Sequence, residues 1–349
     1  MEKALSEPTG SYDIEKLLVL ISPAAEDYLE QMAQSAHRLT VRRFGQTVRL
    51  YAPLYLSNYC VNSCRYCGFN TNNKSERVRL NTNQVLKEAK IISENGFKDI
   101  LLVSGEDRDF VTVDYLTELA RKLRGMFSSI SVEIYPMSTQ EYSRLFKSGI
   151  EGVTLYQETY NRNAYRYYHP AGPKADYDNR LNTQDRCAAA GMREIGLGVL
   201  LGLTDWRMET LALAEHAHYL AKCYWNSRIS FSFPRLRPAY KTCLSGCKQT
   251  VGDKELVQMI TALRLCFADA GLVLSTREPA RLRNHLIKLG VTKMSAGSKT
   301  SPGGYSKKND KSAEQFEIDD TRRPADIAAM LKQAGYYPVW KDWDTVFQR

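Results

Sequence analysis

Three thiols close together are the first chemistry this chain offers. Cys60, Cys64 and Cys67 fall in the run Cys-Val-Asn-Ser-Cys-Arg-Tyr-Cys-Gly, a C-x3-C-x2-C spacing. Thiolates at such short intervals wrap one soft metal centre, zinc or iron–sulfur, in preference to a hard ion. A structural zinc calls for a fourth Cys or His close by, and the next histidine after the triplet is the distant His169. An iron–sulfur cluster on three cysteines keeps one iron open for a substrate or cofactor. Three inert buried cysteines are the bland reading, and this loop-like spacing does not suit core periodicity. The other cysteines, Cys187, Cys223, Cys243, Cys247 and Cys266, are scattered downstream. Cys243 and Cys247 flank a short polar loop but are too few for a second cluster. His216 and His218 sit two apart in a helical pattern, on different faces, and read as solvated or packed residues rather than ligands.

The elements that must position the triplet follow from periodicity. Short apolar runs at Val48–Leu56, Ile100–Ser104, Ile130–Tyr135, Gly152–Tyr156, Glu194–Leu200, Ile229–Phe233, Leu272–Ser275 and Val291–Ala296 alternate with amphipathic helical stretches. The stretch Asn83–Asn95, for example, carries Val85, Leu86, Ala89 and Ile92 on one stripe behind a Thr82 cap. Repeated strand–helix units mean parallel strands with crossover helices. Eight of them predict an α/β fold of the closed (β/α)8 TIM-barrel type rather than an open doubly wound sheet. No G-x-G-x-x-G follows the first strand, which argues against a dinucleotide site. Residues 1–47 read as a helical N-terminal extension, with a helix opening at Ser22-Pro23 and packing through Tyr28, Leu29, Met32 and Ala36. Residues 48–300 read as the barrel, and 301–349 as a C-terminal capping segment. The triplet then begins where the first strand ends, on the face where barrel active sites are built.

Composition narrows the class. With 43% hydrophobic and 25% charged residues the 349-residue chain is an ordinary globular enzyme. No apolar run is long enough to span a membrane, and no export signal opens the chain, so a cytoplasmic location is expected. The formal charge of +9 is dispersed, with only short clusters at Arg42-Arg43 and Lys307-Lys308. No nucleic-acid motif accompanies it, and small anions or an acidic protein partner suit it better.

The cysteine spacing, with an aromatic residue before the last thiol, resembles the radical S-adenosylmethionine (SAM) superfamily. Further runs extend the resemblance over nearly the whole chain: Cys-Gly-Phe-Asn at 67–70, Leu-Leu-Val-Ser-Gly-Glu at 101–106, Tyr-Gln-Glu-Thr-Tyr at 156–160 and Phe-Pro-Arg-Leu-Arg-Pro at 233–238. Leu-Ser-Thr-Arg-Glu at 274–278, Pro-Gly-Gly-Tyr at 302–305 and Val-Trp-Lys-Asp-Trp at 339–343 continue it. Together they are similar to the tyrosine lyases of thiazole biosynthesis. The resemblance implies a 4Fe–4S cluster on Cys60, Cys64 and Cys67 whose open iron chelates SAM. It also implies a carbon–carbon lyase in which a deoxyadenosyl radical takes hydrogen from the amine of L-tyrosine. Cleavage of Cα–Cβ then yields 2-iminoacetate (dehydroglycine) and p-cresol for thiamine thiazole, with SAM ending as 5′-deoxyadenosine and methionine.

By the same resemblance Tyr66, Ser104, Gly105, Glu106, Glu158 and Arg180 contact SAM. Ser104 stands where the superfamily's Gly-Gly-Glu-like turn has its first glycine. Taken alone, this tripeptide reads equally as an ordinary turn. Gly196 and Gly198 give close approach to the adenosine or merely pack the sheet. Arg277 is expected to clamp the tyrosine carboxylate, assisted by Ser275 and Ser295, with Arg235 and Arg237 as rivals. Tyr305 and the Trp340–Trp343 tail read as lid or packing elements, packing being preferred for the tail. Related alternatives are a tryptophan lyase and the hydrogenase-maturation tyrosine lyase, whose extra C-terminal cysteine cluster has no counterpart after Cys266. A zinc or cluster-bearing interaction module without catalysis is the alternative from another class. Implied partners are thiazole synthase, by direct handover of the unstable iminoacetate, and an acidic flavodoxin or ferredoxin as reductant.

Overall fold

The computed structural model describes residues 2–6, 10–239, 242, 250–306 and 314–341. Eight strands, β1 Thr47–Ser57, β2 Asp99–Ser104, β3 Ser129–Glu133, β4 Gly152–Thr154, β5 Glu194–Gly198, β6 Arg228–Ser232, β7 Gly271–Leu274 and β8 Lys293–Ser295, all run parallel. Each pairs with its successor, and β1 pairs with both β2 and β8, which closes the barrel. Every apolar run read from the sequence is one of these strands. The helices between them cover the outside, several with strong caps. Asn81, rather than the expected Thr82, caps the helix Thr82–Glu94, in a reciprocal capping box with Gln84. Ser22-Pro23 opens a 3-10 turn, Pro23–Tyr28, and the α-helix proper begins at Leu29 and runs to Phe44. Lys16 and Gln258 tie this N-terminal region to the helix Asp253–Cys266: the Lys16 ammonium donates to the Leu265 carbonyl, and the Gln258 amide to those of Leu20 and Ser22.

A ninth strand, β9 Tyr337–Val339, was not foreseen. It pairs in parallel with Thr47–Arg49, where β1 extends below the start of β2. The aromatic tail therefore belongs to the end of the barrel opposite the cysteines. There Trp340 packs edge-on against Phe97 at 5.2 Å, and its carbonyl accepts the Lys98 amide. Trp343 lies outside the described residues. A three-residue strand, Tyr-Pro-Val, with proline at its centre, gives no period long enough to read.

Strand alternation sorts the side chains. Val48, Leu50, Ala52, Leu54 and Leu56 of β1 point into the layer between sheet and helices, as do Ile100, Leu102, Val132, Ile195, Phe231, Leu272 and Met294. Tyr51 and Tyr55 point the other way, into the barrel, with Leu101 and Val103. At the N-terminal end of the strands the interior is closed by charge. Arg49 pairs with Asp99 at 2.8 Å and Glu194 at 2.6 Å. Lys293 reaches the same two carboxylates at 3.1 and 3.5 Å, and Arg228 adds a contact to Glu194. Removing one member of a buried network leaves its partners uncompensated. Arg49→Ala is expected to cost about 3–5 kcal/mol of stability, read as a lower denaturant midpoint.

Candidate active site

At the other end the interior is open. A cavity of about 920 Å³ is lined by all three cysteines and by the C-terminal ends of the strands. It continues into a deeper lobe of about 560 Å³ inside the barrel; Val103, Glu133, Tyr156, Arg277, Gln315 and Phe316 line both. The loop after β1 carries the thiols and is pinned on several sides. The Val61 amide donates to the Glu106 carbonyl, Ser63 to Ala171, Arg65 to Tyr168 and Gly68 to Gln315. Asn62 is buried at the centre: its amide donates to the Glu106 carboxylate at 2.8 Å while its carbonyl accepts the Lys174 amide at 2.8 Å. Burial, with Cys60 close by, pushes the Cys64 thiol up to about 11, and burial with Cys64 and Cys60 close by pushes that of Cys67 to about 12.

Among the described residues no three His, Cys, Asp or Glu groups converge on a single-ion point. All three cysteines instead line the same cavity, an arrangement that suits a polynuclear cluster in which separate irons take separate cysteines. Lys174 and Arg180 stand beside them, two cations against one carboxylate, Glu158, with Lys174 at 2.7 Å and Arg180 at 3.7 Å. Burial pushes the Glu158 carboxyl up, but these cations outweigh it and hold it low. Glu158 has φ 70°, in the left-handed region where a non-glycine residue is strained. The residues present thus fit a 4Fe–4S cluster with an anionic, amino-acid-bearing ligand: three soft donors lining the cavity and a surplus positive charge next to them.

The expected SAM contacts Tyr66, Ser104, Gly105, Glu106, Glu158 and Arg180 all line this cavity. The Tyr66 hydroxyl donates to His169 Nε2 at 2.7 Å, and His169 Nδ1 faces the Tyr165 carbonyl. Burial lowers His169 to about 3, so it stays neutral and keeps that tautomer. Gly105 is small for a different reason than a ligand's approach. A Cβ there would run into the Tyr59 carbonyl oxygen and reach Cys60 Cβ at 3.0 Å, so the cluster loop itself requires glycine. Gly198 likewise gives way to a neighbour: the Tyr156 ring lies 2.6 Å from where its Cβ would be, and Gly196 is crowded by Thr154. The packing reading of these two glycines is the one the geometry favours.

On the inner side the structure separates the three arginines. Arg235 lines neither lobe; its guanidinium pairs with buried Glu278 and with Asp253, and it is dropped as a carboxylate clamp. Arg237 reaches the outer lobe but pairs with Asp319 at 2.7 Å. Arg277 lines both lobes, stacks on the Phe316 ring at 3.3 Å and meets no carboxylate within ion-pair distance among the described residues. Ser275 and Ser295 line the inner lobe, Ser295 Oγ accepting the Thr276 amide. Sequence reasoning missed Lys174, Asn62, Glu133 and the Gln315–Phe316 cover. Tyr55 OH donates to Gln315 at 2.6 Å, which draws that segment over the mouth. Tyr305 is fixed by its hydroxyl to the Pro53 carbonyl and by its amide to Glu88, so it packs rather than swings. His216 packs on Tyr160 and His218 on Tyr12, outside the site. Cys243 and Cys247 lie outside the described residues.

A closed parallel barrel with three cysteines at its mouth is the architecture of radical SAM enzymes, and the profile of the Radical SAM superfamily matches residues 54–214. That of the Biotin and Thiamin Synthesis associated domain matches residues 232–337. The 2-iminoacetate synthase of Escherichia coli K12 is 45% identical over all of this chain and 92% of its own length. That of Salmonella typhimurium LT2 is 45% identical over 99% and 90%. This chain belongs to the 2-iminoacetate synthase family. The crystal structure of HydG, a maturase of the FeFe-hydrogenase, superposes with TM-score 0.91 at 35% identity, covering 97% of this chain and 75% of that one. The fold is shared further by methylornithine synthase, with TM-score 0.77 and 21% identity over 99% of this chain and 98% of that one.

Gly105→Ala tests the packing of the cluster loop. Its methyl group meets backbone that cannot yield cheaply. The variant should therefore lose most of its iron–sulfur absorbance after reconstitution while keeping its far-ultraviolet circular dichroism.

Proposed function

We propose that this chain cleaves L-tyrosine at Cα–Cβ to 2-iminoacetate and p-cresol, and so supplies the iminoacetate for thiamine thiazole. The observation that carries this reading is the two-lobed cavity, with three thiols beside Lys174 and Arg180 in the outer lobe and an unpaired Arg277 facing the inner one. Cys60, Cys64 and Cys67 would hold the 4Fe–4S cluster, and Lys174 and Arg180 leave a positive charge over for the carboxylate of SAM. When bound, cluster and SAM supply a 5′-deoxyadenosyl radical able to take a hydrogen atom, leaving methionine. The chain's own work is placement. Arg277 offers its planar fork to the substrate carboxylate, with Ser275 and Ser295 beside it in the inner lobe. Tyr51, Tyr55 and Tyr156 present both ring surface and hydroxyls around the aromatic substrate. Gln315 and Phe316 cover the mouth and exclude water while a reactive species lives.

Two partners follow from the chemistry. The iminoacetate hydrolyses in water, so direct transfer to thiazole synthase is part of this reading, and co-purification tests it. The electron comes from an acidic flavodoxin or ferredoxin. Exposed Arg65 in the cluster loop, stacked on Tyr167, gives such a donor a cationic contact beside the thiols. Raising ionic strength should slow cluster reduction by that donor, measured under stopped flow; a salt-independent rate removes the electrostatic argument.

Anaerobic turnover of the reconstituted protein with SAM, dithionite and L-tyrosine should give p-cresol and 5′-deoxyadenosine, both lost in Cys64→Ala. Deoxyadenosine without p-cresol would reject tyrosine and make tryptophan the next substrate to try. Arg277→Lys keeps the charge but loses the fork, and should raise KM for tyrosine on the order of 10- to 100-fold.

A further inference from the structure

Three carboxylates face the cavity, and two are already engaged. Glu106 is held by Asn62 at 2.8 Å and Arg108 at 3.0 Å, and Glu158 by Lys174 and Arg180. Glu133 is different. It ends β3, paired in register with Val103, and alternation turns it inward while Val132 and Ile134 join the outer core. It lines both lobes, yet its carboxylate makes no hydrogen bond or ion pair with any described residue. A carboxylate held largely out of water without a partner costs folding free energy that no contact in the fold returns. Such a group in a cavity is placed for a ligand.

Arg277 is its counterpart. It lines the same two lobes and, among the described residues, pairs with no carboxylate, its guanidinium reaching only the Arg235 carbonyl at 3.5 Å and the Phe316 ring. The junction of the lobes thus holds one unpaired anion and one unpaired cation that do not pair with each other. The complement of that arrangement is an α-amino-acid zwitterion, its carboxylate on Arg277 and its ammonium on Glu133.

Building on the tyrosine reading above, we propose that Glu133 binds the substrate ammonium and then removes one of its protons. In that step an N–H bond breaks, its electron pair stays on nitrogen, and the proton forms an O–H bond on Glu133. No oxidant or reductant is involved. The neutral amine is the form from which loss of a hydrogen atom leaves an uncharged nitrogen radical. Burial, followed by the charge of Glu158, raises the Glu133 carboxyl to about 7, against the pull of Arg277, Arg180 and Lys174. A carboxyl in that range matches an α-ammonium, roughly 8 or above, far better than an ordinary one near 4. The other groups facing it do not titrate near neutrality. Tyr51, Tyr55 and Tyr156 are pushed up by burial, Glu158 is held low by its cations, and Arg277 stays cationic although burial lowers it. Glu133 acts as a base when deprotonated, so turnover rises with pH through its titration.

The test uses the reconstituted holoenzyme with Glu133→Gln and Glu133→Asp, and two ligands. One is L-tyrosine; the other is 3-(4-hydroxyphenyl)propanoate, which keeps the ring and carboxylate but lacks the amine. Glu133→Gln should weaken L-tyrosine at least tenfold and leave the propanoate unchanged or tighter. It should cut p-cresol formation on the order of 100-fold and move the acid limb of the pH profile up from near 7. Glu133→Asp should restore part of the rate with an acid limb. Equal weakening of both ligands, or an unchanged pH profile in Glu133→Gln, overturns the proposal and leaves Glu133 a structural residue. Wild-type enzyme that binds the propanoate but not L-tyrosine also overturns it, and wild-type that binds neither rejects the tyrosine reading itself.

Discussion

A closed barrel sends every second strand residue into a shared interior, and what that interior does with charge governs this molecule. At the N-terminal ends of the strands the charges cancel: Arg49, Asp99, Glu194 and Lys293 satisfy one another and plug the barrel. At the C-terminal ends they do not. Two cations share Glu158, while Arg277 and Glu133 face open space. The same alternation that builds a sealed floor from polar residues therefore builds an unsatisfied mouth. Ion networks of this sort are weak stabilisers compared with apolar packing, and the apolar layer between sheet and helices supplies the driving force that lets the interior be polar.

The cluster loop depends on that mouth as much as it decorates it. Glu106, two residues past β2, receives Asn62 through its carboxylate and Val61 through its carbonyl, so the turn after β2 fixes the backbone between the first two cysteines. Gly105 lets Tyr59 and Cys60 come close enough for this. Gly68, after the third cysteine, is pinned to Gln315 from the far end of the chain, and Phe316 beside it lies under the Arg277 guanidinium. One short C-terminal stretch thus joins the loop that carries the thiols to the arginine that faces the substrate lobe. Closure over the mouth and order in the cluster loop are parts of one arrangement.

Much of this was readable before any coordinates. The eight strand runs emerged because parallel barrel strands are continuous, apolar and flanked by helices of clear period. The thiols declared themselves by spacing, while Arg277 entered only through the family resemblance, with Arg235 and Arg237 as rivals. Other features were hidden for physical reasons. Glu133 resembles any acid at the end of a strand, and only closure of the barrel reveals that its carboxylate pairs with none of the described residues. Arg235 and Arg237 are chemically equal to Arg277 in sequence, and their removal from the contest rests on Glu278 and Asp319. Gly105 read as a ligand contact, and Gly198 as either a ligand contact or sheet packing, because close approach is legible in a glycine without showing what approaches.

Sequence alone determined the strand and helix order, the three-thiol chemistry and the family, since these live in local periodicity and in the spacing of residues along one loop. Tertiary structure decided which charges are spent and which remain free. Whether a guanidinium or carboxylate is neutralised depends on side chains brought together from distant strands, and electrostatic energy at a few ångströms is set by that meeting rather than by residue type.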